Sequence, residues 1–304
     1  MFIVNHRKFF FALSTLLVIG SILAMYVYGF NLGIDFKGGS ILEVSYPNSR
    51  PNLDTVRGQI DSLGPQVDGE GLGAYTLTPT GQNNYVIKMR ELTPAMKTLL
   101  LQIFSSDSTN LPLEVRFNSI GPVVGEQLKN KALIAVTAVI ICIVLFITFA
   151  FRKVSRPVAS WKYGLATIIA LAHDVIIPTG VFIIWTHFYG GEIDLLFVTA
   201  LLAILGYSVH DTIVVFDRVR ENLQHAEKNE SFMQTVGKSV NQTFGRSINT
   251  SLTIFLALIA LYFIGGESTR DFAFVLLIGI IAGTYSSIFV ASPLLVTLEK
   301  LQNK

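Results

Sequence analysis

The chain has 304 residues, of which 51% are hydrophobic and only 14% charged, and its formal net charge is +2. Soluble domains carry about a quarter charged residues, so this composition, with its strongly positive mean hydropathy, excludes an ordinary soluble globular protein and points to a lipid bilayer. A near-neutral balance with no basic patch among aromatics also excludes nucleic acid as a partner.

The first apolar run, Phe9 to Phe30, follows Arg7 and Lys8, as a signal peptide would. It is too long and lacks a small-residue cleavage motif, so it reads as an uncleaved helix. Five more runs meet the requirement of roughly 20 apolar residues per span. They are Leu133 to Phe151, Tyr163 to Trp185, Leu195 to Phe216, Phe244 to Ile264 and Phe272 to Val296. Cys142, the single cysteine, lies in the second of these and reads as a small buried hydrophobe.

At the exit from the first run, FNLGIDFKGGS places three glycines, Asp35 and Lys37 together. Glycine permits left-handed backbone or close approach, and Asp35 can satisfy free amides; an ordinary tight turn explains the same residues. The stretch that follows has its own pattern. SILEVSY alternates like a strand, LDTVRGQIDSLG has helical spacing ending at Gly64, and AYTLTP and NYVIKMREL read as strands around TGQNN. A helix from Thr93 to Ser105, with Thr93 as N-cap and Pro94 at its first position, precedes a last strand, LEVRFNSI. The order β-α-β-β-α-β predicts a ferredoxin-like α+β domain. With neither histidine nor cysteine and no nucleophile-base pair, it is expected to bind or move, not to catalyse.

Loop charge sets the orientation. RKVSRPVASWK, after the second run, holds four basic residues and no acid, while HFYGGEIDL after the third holds two acids and no Lys or Arg. The first of these loops is cytoplasmic by the positive-inside rule, which puts both termini inside and the insertion outside. The chain thus divides into residues 1–30 (N-terminus and first helix), 31–130 (extracytoplasmic domain) and 131–304 (helices two to six).

Within the fourth run, Asp211 is an anomaly. An ionisable side chain deep in a bilayer costs from about 3 to over 10 kcal/mol, and function is the default reading. Its partner candidate is Arg246, at the start of the fifth run. Arg246, Asn249, Thr250 and Thr253 follow helical spacing, as do Ser208, Asp211, Thr212 and Val215, so two polar stripes could meet inside the bundle. A static ion pair that only fixes helix register is the alternative. Gly279 and Gly283 in the sixth run have GxxxG spacing, with Ser286 and Ser287 nearby, and read as a close-packing face.

Four motifs in order, GIDFKGG (Gly33 to Gly39), AHDV (Ala172 to Val175), LGYSVHDTIVVFDRVREN (Leu205 to Asn222) and SVNQTFGRSINTSLT (Ser239 to Thr253), resemble the SecF proteins of the SecD/SecF protein-export family. The six-run layout is similar to half of an RND-superfamily transporter. That resemblance implies a subunit of the cytoplasmic (inner) membrane that pairs with SecD and associates with SecYEG, with YajC and YidC as further candidates. It would help draw unfolded polypeptide outward using the proton motive force. No enzymatic activity, cofactor or metal is implied.

The family's proton path implies roles for Asp211, Arg246 and Thr250, and Gly33, Asp35, Phe36, Gly38 and Gly39 fall on its glycine motif. Asp174, beside His173 and a turn before Pro178, could join the path, bond to a hydroxyl on a neighbouring helix, or cap groups freed by the proline. His210 stands where the family commonly has asparagine and reads as a hydrogen-bonding substitute. Asp217, Arg218, Arg220 and Glu221 read as interfacial anchors, and residues 221–242 as an amphipathic connector. A half-size proton-driven exporter of small molecules is the competing function.

Overall fold

The computed structural model describes residues 1–62, 73–105, 110–152, 158–227 and 230–302. In chain order these form α1 (Phe2–Asn5), α2 (Arg7–Tyr28), α3 (Ile34–Lys37), β1 (Gly39–Ser45), α4 (Leu53–Asp61), β2 (Thr76–Thr80), β3 (Asn84–Met89), α5 (Pro94–Phe104), β4 (Leu113–Ile120), α6 (Pro122–Ala150), α7 (Ser160–Tyr189), α8 (Leu195–Gln224), α9 (Phe232–Ile264) and α10 (Glu267–Ser286). A five-residue π-helical segment, Ser287–Ala291, then joins α10 to α11 (Ser292–Gln302). The chain separates into two compact units, residues 32–131 and the remainder.

The smaller unit is a four-stranded antiparallel sheet in the order β2-β3-β1-β4. Alternation makes one face of it apolar: along β1, Leu42 and Val44 are buried, and across the ladder they pair with Ile87 and Tyr85 of β3. Helices α4 and α5 supply Val56, Ile60, Met96, Leu100 and Phe104 to the same core. Their starts are fixed locally. Asn52 accepts from the Asp54 amide and Thr93 from the Met96 amide, with Pro94 at the first helical position, where its missing N–H costs nothing. The expected helix end at Gly64 lies outside the described residues.

The larger unit holds the helical bundle. Among the described residues, six helices are long and apolar enough to cross a membrane, Arg7–Tyr28, Pro122–Ala150, Ser160–Tyr189, Leu195–Gln224, Phe232–Ile264 and Thr269–Leu301. They are not equally buried: 61% of the most apolar window of α7 is buried but only 6% of that of α6. Cys142 shows the consequence. Expected as a buried hydrophobe, it is exposed on α6, because that helix presents its apolar side chains outward.

Small residues set the helix spacing, as they must where lipid removes the hydrophobic drive between helices. A Cβ built on Gly279 of α10 would come within 2.1 Å of the Ile204 side chain on α8, and one on Gly180 of α7 within 2.3 Å of Ser21 Cβ on α2. At one end of the bundle, Phe151 and Tyr163 stack at 5.2 Å and Phe216 meets both edge-on.

The segment 221–242 differs from the expected surface connector. α8 continues to Gln224, and α9 begins at Phe232, ten residues before that segment ends. The cause is a capping box: Ser231 accepts from the Gln234 amide while the Gln234 side chain accepts from the Ser231 amide.

Candidate functional site

Among the described residues, two carboxylates are buried in the bundle. Asp174 of α7 is fully buried and Asp211 of α8 nearly so. Burying an anion is tolerable only with donors in place, and serine hydroxyls supply them. One oxygen of Asp211 accepts from Ser247 Oγ of α9 at 2.5 Å and the other from Ser287 Oγ. Asp174 accepts from Ser286 Oγ at 2.7 Å and from Ser208 Oγ, both on the same oxygen, while its other oxygen lies 2.8 Å from His173 Nδ1.

Adjacent residues thus serve different acids. Ser286 points to Asp174 on one neighbouring helix and Ser287 to Asp211 on another, as the 100° step between successive helical residues allows. The π turn begins at this pair, and Ser292 Oγ donates to the Ser287 carbonyl five residues back, at 2.9 Å. π turns within α-helices are rare and concentrate at functional sites. Hydroxyls extend the network: Ser251 Oγ donates to the Ser247 carbonyl and lies 2.6 Å from Thr284 Oγ1 and 2.7 Å from the Tyr207 hydroxyl.

Of the three readings of Asp174, bonding to hydroxyls on neighbouring helices is the one its geometry displays. Pro178 also has no N–H to offer the Asp174 carbonyl four residues earlier. Asp211, Ser208, Thr212 and Val215 share a buried face of α8, as their spacing predicts. The stripe expected on α9 lies elsewhere. Arg246, Asn249 and Thr250 are exposed, and the inward face is Thr243, Ser247 and Ser251, at i, i+4 and i+8. Asp211 and Arg246 make no ion pair, since Arg246 is one residue, or 100°, away from Ser247. His210 is exposed on the outer side of α8.

Ser247 is the residue the sequence reading missed. It lies inside the SVNQTFGRSINTSLT motif and has helical spacing with Thr243 and Ser251, but the neighbouring charge drew the stripe to Arg246. At the far end of α8, Arg220 pairs with Asp217 at 3.7 Å and Arg218 with Glu221 at 2.6 Å, each at i, i+3 and each solvent-facing. Such pairs add little stability. Arg218 also donates to Gln242 of α9, which accepts from Asn222 as well.

In the smaller unit the glycine motif is built for close approach. Gly33 caps α3, Asp35 sits in its first turn and Phe36 is buried. Gly38 and Gly39 then take φ values of +78° and +135°, which side chains disfavour. Space forbids substitution too: a Cβ on Gly38 would lie 2.7 Å from Pro122 Cα and one on Gly39 2.6 Å from the Met89 carbonyl oxygen. Backbone strands entering and leaving this unit touch here, and an ordinary tight turn would not need that.

A bundle of apolar helices with acids held among hydroxyls, and a small α+β unit between the first two long helices, defines a multi-pass integral membrane protein. The chain matches the family described as "Protein export membrane protein SecD/SecF, C-terminal" over residues 103–301, and the "SecD/SecF GG Motif" over residues 23–46. It is 43% identical to the protein translocase subunit SecF of Thermobaculum terrenum, covering 98% of this chain and 93% of the relative. Against the SecF of Anaerolinea thermophila the identity is 36%, covering 98% and 94%. Among solved structures it is similar to SecDF, a translocon-associated membrane protein from Thermus thermophilus, with a TM-score of 0.80 and 32% identity over 99% of this chain. A second SecDF structure, in a super-membrane-facing form, gives a TM-score of 0.67. The chain spans 38% of the first SecDF chain's length and 39% of the second's. It belongs to the SecD/SecF family and, within it, to the SecF subunits.

Proposed function

We propose that this chain is the SecF half of a SecDF-type unit in the bacterial cytoplasmic membrane, which uses the proton motive force to promote polypeptide export. The observation that carries the proposal is the pair of buried acids joined to one helix by adjacent serines. An ionised Asp211 only accepts hydrogen bonds, so Ser247 and Ser287 both donate to it. Once protonated it must itself donate, and one hydroxyl has to turn away. Taking up a proton therefore rewrites the contacts among α8, α9 and the π segment, which is how a charge inside a bundle can alter its packing.

SecD is the proposed partner. The fraction of SecDF that this chain spans, and the outward apolar face of α6, support a second bundle beside this one. Arg246 and Thr250, exposed on α9, would face that interface and act on the relay next to Ser247 without contacting Asp211 in the arrangement described. SecYEG, YajC, YidC and the exported polypeptide are further partners implied by family membership.

Both termini are assigned to the cytoplasm, on loop charge, and residues 31–130 to the outside. The ferredoxin-like assignment of that domain is supported by its β-α-β-β-α-β order and its β2-β3-β1-β4 sheet. The test is proton-gradient-dependent secretion in cells carrying Asp211→Asn or Arg246→Met. Asparagine keeps one acceptor and adds donors, so Asp211→Asn should fold yet lose most gradient-dependent export. Normal export in both variants would overturn the proposal.

A further inference from the structure

His173 has one ring nitrogen employed and one idle. An ionised Asp174 carboxylate can only accept, so His173 Nδ1, 2.8 Å from it, carries the imidazole hydrogen and Nε2 keeps a lone pair. Nε2 is buried without a hydrogen-bond partner, in a side chain only 4% exposed. Buried polar atoms are nearly always satisfied, so an orphan marks a missing partner or a chemical role. Ser14 Oγ of α2 is likewise buried, beside the Tyr285 hydroxyl. Both residues line one groove of about 270 Å³, walled by Phe11 and Thr15 of α2 and by Val290 and Leu294 near the π segment. A water takes up about 30 Å³ of liquid, so several fit.

We propose that this groove is hydrated and that His173 is a proton-transfer residue, passing protons between groove water and Asp174. The proposal rests on the reading that the buried acids handle protons. In the step, Nε2 accepts a proton from a hydronium ion in the groove, which is left as water, while Nδ1 gives its proton to the Asp174 carboxylate. The ring ends as the other neutral tautomer, protonated on Nε2, and Asp174 ends as the neutral acid. The net change is one proton moved from hydronium to Asp174, with water left in the groove, and reversal restores the start.

The surroundings of His173 suit that role. Its ring stacks on Tyr285 of α10 at 5.9 Å, and the Tyr285 hydroxyl is already committed to the Phe10 carbonyl at 2.9 Å. No charged side chain from α2, the π segment or α11 lines the groove. Asp211 is the next acid, reached through Ser286 and Ser287.

The experiment is nitrogen NMR on the full chain in lipid nanodiscs, with labelled histidine rings. There are five histidines, and His173→Gln assigns the one of interest by its loss. We expect water cross-peaks at the His173 nitrogens, both neutral tautomers populated, and a tautomer ratio changed twofold or more in Ser14→Val. Ser14→Ala, a milder change, guards against misfolding. A single unchanging tautomer without water contact, indifferent to both Ser14 variants, would overturn the inference and identify a static residue under lipid. Loss of gradient-dependent export in Asp211→Asn together with a dry His173 would sink this inference alone.

Discussion

Tyr46, immediately after β1, shows how a single buried group controls pH behaviour. It is 2% exposed, its hydroxyl has no partner, and burial, helped by the neighbouring Tyr85, raises its pKa to about 12. Because the folded value exceeds the unfolded one near 10, the folded state holds its proton longer. The contribution to stability is complete below about pH 10 and is lost as pH rises toward 12. Tyr46→Phe should therefore resist alkaline unfolding better than the parent in a pH series followed by circular dichroism. At neutral pH it should match or exceed the parent by about 1 kcal/mol, because an unsatisfied hydroxyl is removed. Residue roles were unevenly legible in the sequence. Asp211 and Asp174 stood out because charge in an apolar run is costly. Ser247 did not, because a serine in such a run costs little and helical spacing fits both its stripe and that of Arg246. Which stripe faces inward depends on neighbours that a single helix does not encode.

Elements were easier to read than faces. The Thr93-Pro94 start of α5 and the alternation in β1 depend on adjacent residues, and both are found where local rules put them. The α8–α9 connection was misjudged because its charges suggested a surface strap, whereas the Ser231 capping box begins α9 within it. Helix contacts depend on glycines whose use cannot be ranked from spacing. Gly180 touches Ser21 so closely that a Cβ would lie 2.5 Å from its Cα, which cannot give way, while Gly206 of α8 has nothing within 4 Å. Gly180→Ala should destabilise the bundle by about 1–3 kcal/mol through overpacking. Gly206→Ala, relieved of glycine's entropy cost, should stabilise by about 0.5–1 kcal/mol. Thermal unfolding of both in one detergent measures the difference, and equal shifts would mean that α2 does not pack on α7 as described.

At the level of the molecule, composition alone revealed a membrane protein, and the apolar runs gave six long helices. The inserted domain was visible because its strand and helix periods differ from everything around it. That unit has its own core, from Leu42 to Phe104, independent of the bundle. A fragment of residues 32–131 should accordingly fold by itself in water and melt cooperatively, with the alkaline loss expected of Tyr46. A non-cooperative melt would show that it needs the bundle.

The π segment has a consequence for the sixth long helix as a whole. One surplus residue in a helical turn rotates everything beyond it by about 100°. Before the segment the helix is oriented by Ser286 and its acid; after it, by Leu295 and Val296, both fully buried in an apolar core. Deleting one residue between Ser287 and Ala291 would leave an unbroken rod with a single phase. Either the serines would keep their carboxylates and the two aliphatic residues would swing outward, or the aliphatic residues would stay and the acids would lose their donors. The sixth helix meets both demands only because its two halves are out of step.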